Sequence, residues 1–257
     1  VTSKPFADFM TRIALACIPA IVLVAVWYAA LRYGSPYLRQ FLPWPGETLL
    51  EFVRLIGTGE LLVHAASSLR RVLTGVTLAA VVGIPLGIVM GAFRIGEQIF
   101  NPTFEFLRPI PIAAWVPLSM MLFGIGEAPA LALIFLGALY PIVLSARDGV
   151  RYVDPIHLRA AGMLGANSFQ TLVRVILPSA VPHIVTGIRQ ALGIGWWVVI
   201  LAELLAVRSG IGYMMVIAQQ TWQPATIISG MIAVGIIGLL INRLAGAAES
   251  HLLRWRA

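Results

Sequence analysis

The chain has 257 residues, of which 59% are hydrophobic and 11% charged, with a net charge of +7. A soluble domain carries charge on roughly a quarter of its residues, so an ordinary water-soluble globule is excluded and an all-α integral membrane bundle is indicated. Cys17 is the only cysteine, which excludes an internal disulfide and a thiolate metal cluster and leaves a small packing residue in the first apolar segment.

Crossing hydrocarbon takes a mostly uncharged run of about 20 residues. The first such run, Ile13–Leu31, is too long for a signal-peptide core, and no small-residue cleavage site follows it. Residues 32–71 form an external segment: Leu42-Pro-Trp-Pro-Gly46 is a turn, and Glu47 to Ile56 places Leu49, Phe52, Val53 and Ile56 on one helical stripe. Such a helix lies in the outer interface, anchored by Tyr37 and Trp44, or meets an external partner. The second span, Val72–Phe93, carries Gly83, Gly87 and Gly91 at every fourth position, a flat face for a neighbouring backbone. Pro85 within it is a kink position.

Pro109–Gly126 is a third span, broken by Pro109, Pro111 and Pro117, and Ala128–Ala146 is a fourth. After the polar stretch 147–183 come Ile184–Val207, interrupted by Arg189 and Glu203, and Ala225–Asn242. The expectation is six transmembrane helices in one domain over 1–257, with core helices within 72–248. No repeat, low-complexity tract or interdomain linker appears.

With six spans, both termini and the 94–108 and 147–183 loops share one side. That side holds Lys4, Arg12, Arg94, Arg108, Arg147, Arg151, Arg159, Arg174, Arg243, Arg254 and Arg256. The other holds Arg32, Arg39, Arg54, Arg70, Arg71 and Arg208. The excess places the termini and the 147–183 loop in the cytoplasm. Basic residues spread along membrane edges do not form a nucleic-acid footprint.

The polar stretch is organised. Asp154-Pro155 reads as an N-cap followed by proline at the first helical position. A short helix with Ala160-Ala161 then stops at Gly165, and Asn167-Ser168 opens a second helix that Pro178 ends. No phosphate loop, HExxH, CxxC or GxSxG occurs, and His64, His157, His183 and His251 are scattered, so the chain carries no catalytic or metal constellation of its own.

Arg159-Ala160-Ala161, Gly165 and Leu177-Pro178 resemble the EAA loop of bacterial ABC importer permeases, with arginine where that motif has glutamate. Leu42-Pro-Trp-Pro-Gly46, Arg108-Pro-Ile-Pro111, Ala114-Trp115-Val-Pro117, Phe123-Gly-Ile-Gly-Glu127, Ala202-Glu203-Leu204 and Gly210-Ile-Gly212-Tyr213 are similar to the nitrate/taurine/aliphatic-sulfonate branch of that family. Asn242 stands where the branch has aspartate. The resemblance covers about residues 40 to 256. It implies the type I ABC importer permease fold, with a cytoplasmic coupling helix docked on an ATPase through Arg159, Ala160, Ala161, Gly165, Leu177 and Pro178. It implies a second permease copy, two cytoplasmic ATP-binding subunits that hold the ATP and magnesium, and an external solute-binding protein. Uptake of a taurine, sulfonate, nitrate or bicarbonate type of solute across the bacterial inner membrane follows from it.

Ionisable groups within spans are functional candidates because burying them in lipid is costly. Arg189 and Glu203 are 14 residues apart, about 21 Å along a helix, and do not pair on it. Arg189 either snorkels to the cytoplasmic interface or attracts an anion near the inner gate. Glu203 suits a structural hydrogen bond near the outer gate. Gly193-Ile-Gly195-Trp196-Trp197 reads either as a gate or as core packing. An alternative function is a secondary transporter or channel acting without an ATPase, but such coupling calls for several intramembrane carboxylates or paired broken helices.

Overall fold

A computed structural model describes residues 4–254, with side chains at 18, 19 and 21–254. The expectations resting on Lys4, Arg12, Cys17 and Arg256 lie outside those described side chains. Among the described residues every regular element is helical. In chain order α1 (Lys4–Tyr33) leads through α2 (Leu38–Phe41) to α3 (Pro45–Gly57) and α4 (Glu60–Ala92). After α5 (Arg94–Leu107) come a 3₁₀ turn (Ile112–Trp115), α6 (Val116–Phe123) and α7 (Glu127–Arg151). Then α8 (Pro155–Met163) and α9 (Ser168–Thr171) lead through a π-helical stretch (Leu172–Ile176) into α10 (Leu177–Leu205), followed by α11 (Ile211–Gln220) and α12 (Pro224–Leu252).

Small residues set the packing. The glycine face of α4 meets α7: a Cβ at Gly87 would strike the Val143 carbonyl oxygen, and one at Gly91 would stand 2.7 Å from that of Arg147. On the other side of α7, a Cβ at Gly187 of α10 would lie 2.5 Å from the Cβ of Ser145, and one at Gly149 would lie 2.9 Å from that of His183. Thus α7 is held between α4 and α10 at backbone contact. Lipid is as apolar as leucine, so close contact rather than water exclusion drives such packing. Val72, Val76 and Ala79, Leu133, Ile134 and Ala138, and Val198 and Val199 fill the layer between the three helices.

α4, α7, the continuous run Ser168–Leu205 and α12 are long and apolar enough to cross a membrane. The expected third span is not one straight helix, because α5 and Ile112–Phe123 meet at 94°. Pro109 and Pro111 fall between them, where prolines cannot donate to a helical ladder. The second span also differs from its expected start at residue 72, since α4 begins at Glu60 and draws Arg70 and Arg71 into the helix. Pro85 lies inside α4 without ending it.

The second helix of the hairpin likewise does not end at Pro178. The helical run continues from Ser168 to Leu205, with a π stretch immediately before Leu177-Pro178. A proline lacks an N–H and clashes with the carbonyl four residues back; the wider π turn relieves both constraints and lets the helix proceed.

On the opposite side, α3 starts with Pro45 in its first turn and Glu47 accepting the Trp44 amide at 3.0 Å. Leu49, Val53 and Ile56 are exposed, while Leu55 and Thr48 are buried and Phe52 packs on the core. The Ser229 hydroxyl donates to the Thr48 carbonyl at 3.1 Å, and the Thr226 hydroxyl donates to Glu51 at 2.8 Å. These bonds fasten α3 to the start of α12.

Candidate coupling hairpin and membrane cavity

Residues 154–178 build a closed, locally satisfied hairpin. Asp154 accepts the Ile156 amide at 2.8 Å, Pro155 takes the first helical position, and the first turn of α8 is thereby capped. At its other end Gly165 adopts φ +74°. The Ala166 amide reaches the Ala161 carbonyl and the Gly165 amide reaches that of Gly162, both at 3.0 Å. That pair of bonds is a Schellman closure, and the left-handed residue it needs is glycine. Asn167 and Gln170 then exchange bonds of 2.8 and 3.0 Å between side chain and backbone, a reciprocal cap for α9.

Ala161 is buried at the base of α8, and a concavity of about 730 Å³ lies between the two arms, lined by Ala160, Ala161, Gly165, Arg174 and Pro178. Leu177 begins the long α10 beside them. Arg159 is exposed, and its side chain donates to the Pro155 carbonyl of its own helix at 3.3 Å. The tip carries what the motif reading missed: Met163 and Leu164 are 84% and 87% exposed, and Phe169 is 72% exposed. Large apolar side chains grouped on a polar loop mark an interaction surface. Their position just before and after a capped glycine turn was the available signal.

The end of the bundle away from the hairpin is organised around Arg71, which the sequence places among the external charges. Arg71 is 1% exposed. Its guanidinium donates to both oxygens of Glu127 at 2.8 and 2.6 Å, to Glu203 at 2.7 Å and to the Ser209 carbonyl at 2.9 Å, and it also bonds the Ser209 hydroxyl. Glu203 takes further bonds from the Ser68 hydroxyl at 2.9 Å and the Gly212 amide at 3.0 Å. The Gly210 amide donates to His64 Nδ1 at 3.0 Å. α4, α7, α10 and the start of α11 are thus joined by an ionic cluster whose two buried charges, Arg71 and Glu203, are paired and hydrogen-bonded, the condition under which such burial is tolerated, while Glu127 completes it from the exposed edge.

The remaining path candidates separate. Arg189 pairs across to α12, reaching Glu249 at 2.8 Å and Asn242 at 3.3 Å. Trp196 is buried, and its indole N–H donates to the Val234 carbonyl at 3.0 Å. Trp197 points the other way, 56% exposed, into a cavity of about 360 Å³ with Arg108, Ile112, Trp115 and Tyr140. The structure therefore does not bring Arg189, Trp196, Trp197 and Glu203 together.

The family described as binding-protein-dependent transport system inner membrane component matches residues 83–255. The chain is 36% identical over 241 residues to the taurine transport system permease protein TauC of Escherichia coli (strain K12), across 91% of this chain and 86% of that protein. It is 34% identical over 203 residues to the nitrate import permease protein NrtB of Leptolyngbya laminosa, across 79% of this chain and 73% of that protein. Among solved structures, an inward-facing MetNI methionine ABC transporter shares the fold with a TM-score of 0.64 and 18% identity, across 77% of this chain and 96% of that one. Together with the small-residue bundle and its capped hairpin, these matches establish that the chain belongs to the binding-protein-dependent transport system inner membrane component family, the permease subunits of ABC importers.

Proposed function

We propose that this permease imports a small oxyanion-bearing solute of the taurine, sulfonate, nitrate or bicarbonate class, and that its 154–178 hairpin is the point at which a cytoplasmic ATP-binding subunit acts on it. The permease subunit is not itself an enzyme; ATP and magnesium belong to the partner. The carrying observation is the hairpin, capped by its own residues at both helix starts yet presenting Met163, Leu164 and Phe169 to solvent. Rigid geometry with an uncovered apolar tip suits a lever pushed by another protein. Because Ser168–Leu205 is one helical run, a push on the hairpin is delivered directly to a membrane helix.

The working assembly is two copies of this chain, two ATP-binding subunits and an external solute-binding protein, rocking between inward- and outward-open states. Six spans with both termini cytoplasmic remain our topology, counting α1 and the bent pair as spans. Arg71 is internal and Arg108 reaches the ring of Tyr140, so each side of the charge comparison loses one arginine and the cytoplasmic excess stands. The test is Gly165→Pro together with Ala161→Glu in the full transporter. Both variants insert and assemble as permeases but lose solute-stimulated ATP hydrolysis; stimulation equal to the parent in both would refute the docking role.

A further inference from the structure

Several arginines on the membrane helices pair with carboxylates. Arg71 meets Glu127 and Glu203, Arg189 meets Glu249, Arg147 meets Asp148, and Arg151 meets Glu97. Arg108 differs. Its guanidinium carbon stands 5.0 Å from the centroid of the Tyr140 ring, and no carboxylate lines the cavity they share. Tyr140 is the fourteenth of the 25 residues of α7, which puts it about 20 Å from the outer end of that helix and about 17 Å from the inner end. A cation held at that depth with only a ring face for a partner is costly unless a ligand or water supplies the missing contacts.

The cavity suits one kind of ligand. Its volume of about 360 Å³ falls within the range of roughly 300–1,000 Å³ of small-molecule sites, which are mostly apolar with a few placed polar groups. Ile112, Trp115 and Trp197 supply apolar walls, and the planar fork of Arg108 matches the paired oxygens of a sulfonate, nitrate or carboxylate. Arg108 caps the C-terminus of α5, at the bend of 94° between α5 and Ile112–Phe123. Interrupted helices near the midplane are a recurring way for transporters to build a substrate site.

We infer that Arg108, Tyr140, Trp115 and Trp197 form an oxyanion-binding station within the membrane, with Arg108 taking the charged head and the aromatic residues flanking the remainder. This deepens the importer reading above and rests on it. Specificity in such a system is then shared between the external binding protein and the permease. Since the external protein captures the solute first, losing the station lowers the maximal uptake rate while leaving the half-saturating concentration near its parent value.

The test uses the full transporter with its binding protein, in vesicles, with labelled taurine, ethanesulfonate and nitrate as probes and rates normalised to assembled complex. Arg108→Gln is expected to cut the maximal rate of the transported anion by about tenfold or more, the scale of one lost charged hydrogen bond; Arg108→Lys retains an intermediate rate, and Trp197→Leu falls less than Arg108→Gln. If the parent moves none of the three probes, the importer reading for this solute class fails and this inference fails with it. If the parent moves one and Arg108→Gln moves it equally well, only this inference fails. Loss of a tightly held phospholipid from Arg108→Gln, by mass spectrometry of the complex, with transport intact would assign the cavity to a lipid headgroup and also overturn it. Loss of assembly in Arg108→Gln would make Arg108 a packing residue and overturn it as well.

Discussion

The two ends of this permease handle polarity in opposite ways. At the end of the bundle away from the hairpin, Arg71, Glu203, Glu127 and Ser68 are bonded to one another, with Arg71, Glu203 and Ser68 buried and Glu127 at the exposed edge. At the hairpin end the backbone is satisfied by caps, but Met163, Leu164 and Phe169 are left uncovered. An internally completed charge cluster joins helices of one chain. A capped loop with an uncovered apolar tip is what the proposed docking on a different chain requires.

That contrast separates substitutions that unfold the protein from those that uncouple it. The largest expected effect is at Arg71: Arg71→Met leaves Glu203 buried without its counter-ion, costing about 3–5 kcal/mol in thermal unfolding of the nanodisc-embedded protein. Adding Glu203→Met removes the stranded charge and restores much of that loss, because apolar groups of similar size replace a buried pair well; no recovery in the double variant would break the cluster account. At the hairpin, Gly165→Ala is expected to cost about 1 kcal/mol, the scale for placing a side chain at a left-handed position. Leu164→Asp changes stability by less than about 0.5 kcal/mol, as surface changes do, yet it abolishes solute-stimulated ATP hydrolysis in the assembled transporter. Equal losses of stability at Leu164 and Arg71 would erase the distinction between the ends.

The smallest effect is a pH dependence at α3. Arg54 beside Glu51 holds its carboxyl below the ordinary value of 4.5, with a further bond from Thr226, against the opposing effect of burial. A carboxyl whose folded value is depressed contributes stability that is complete above the unfolded value and is lost as pH falls through the folded one. Docking of α3 on α12 therefore weakens only below about pH 4.5, and Glu51→Gln removes that dependence in a hydrogen-exchange measurement on α3.

Local chemistry made the hairpin legible. Asp154 and Asn167 offer side-chain oxygens to orphan amides, Pro155 fixes φ at a helix start and Gly165 admits a left-handed turn, and each occupies the cap or turn expected of it. Gly83, Gly87 and Gly91 likewise announced a close helix contact, although not that α7 would supply it. Arg71 was illegible because an Arg70-Arg71 pair beside an apolar run looks like an interfacial edge; its partners lie 56 and 132 residues away. The helix through Pro178 was hidden for a related reason. Proline signals a stop locally, and only the π stretch ahead of it reveals that the run continues.

The most direct measurement is a cross-link. With Cys17→Ser removing the only native cysteine, Leu164→Cys places one thiol at the hairpin tip for a short bismaleimide reagent in the complete transporter. The account predicts a product between the permease and an ATP-binding subunit carrying one engineered cysteine in its docking cleft, formed at a rate that changes when ATP is added. Reaction of Leu164→Cys only with a second permease copy, or with no subunit across a scan of cysteines over that cleft, would contradict it.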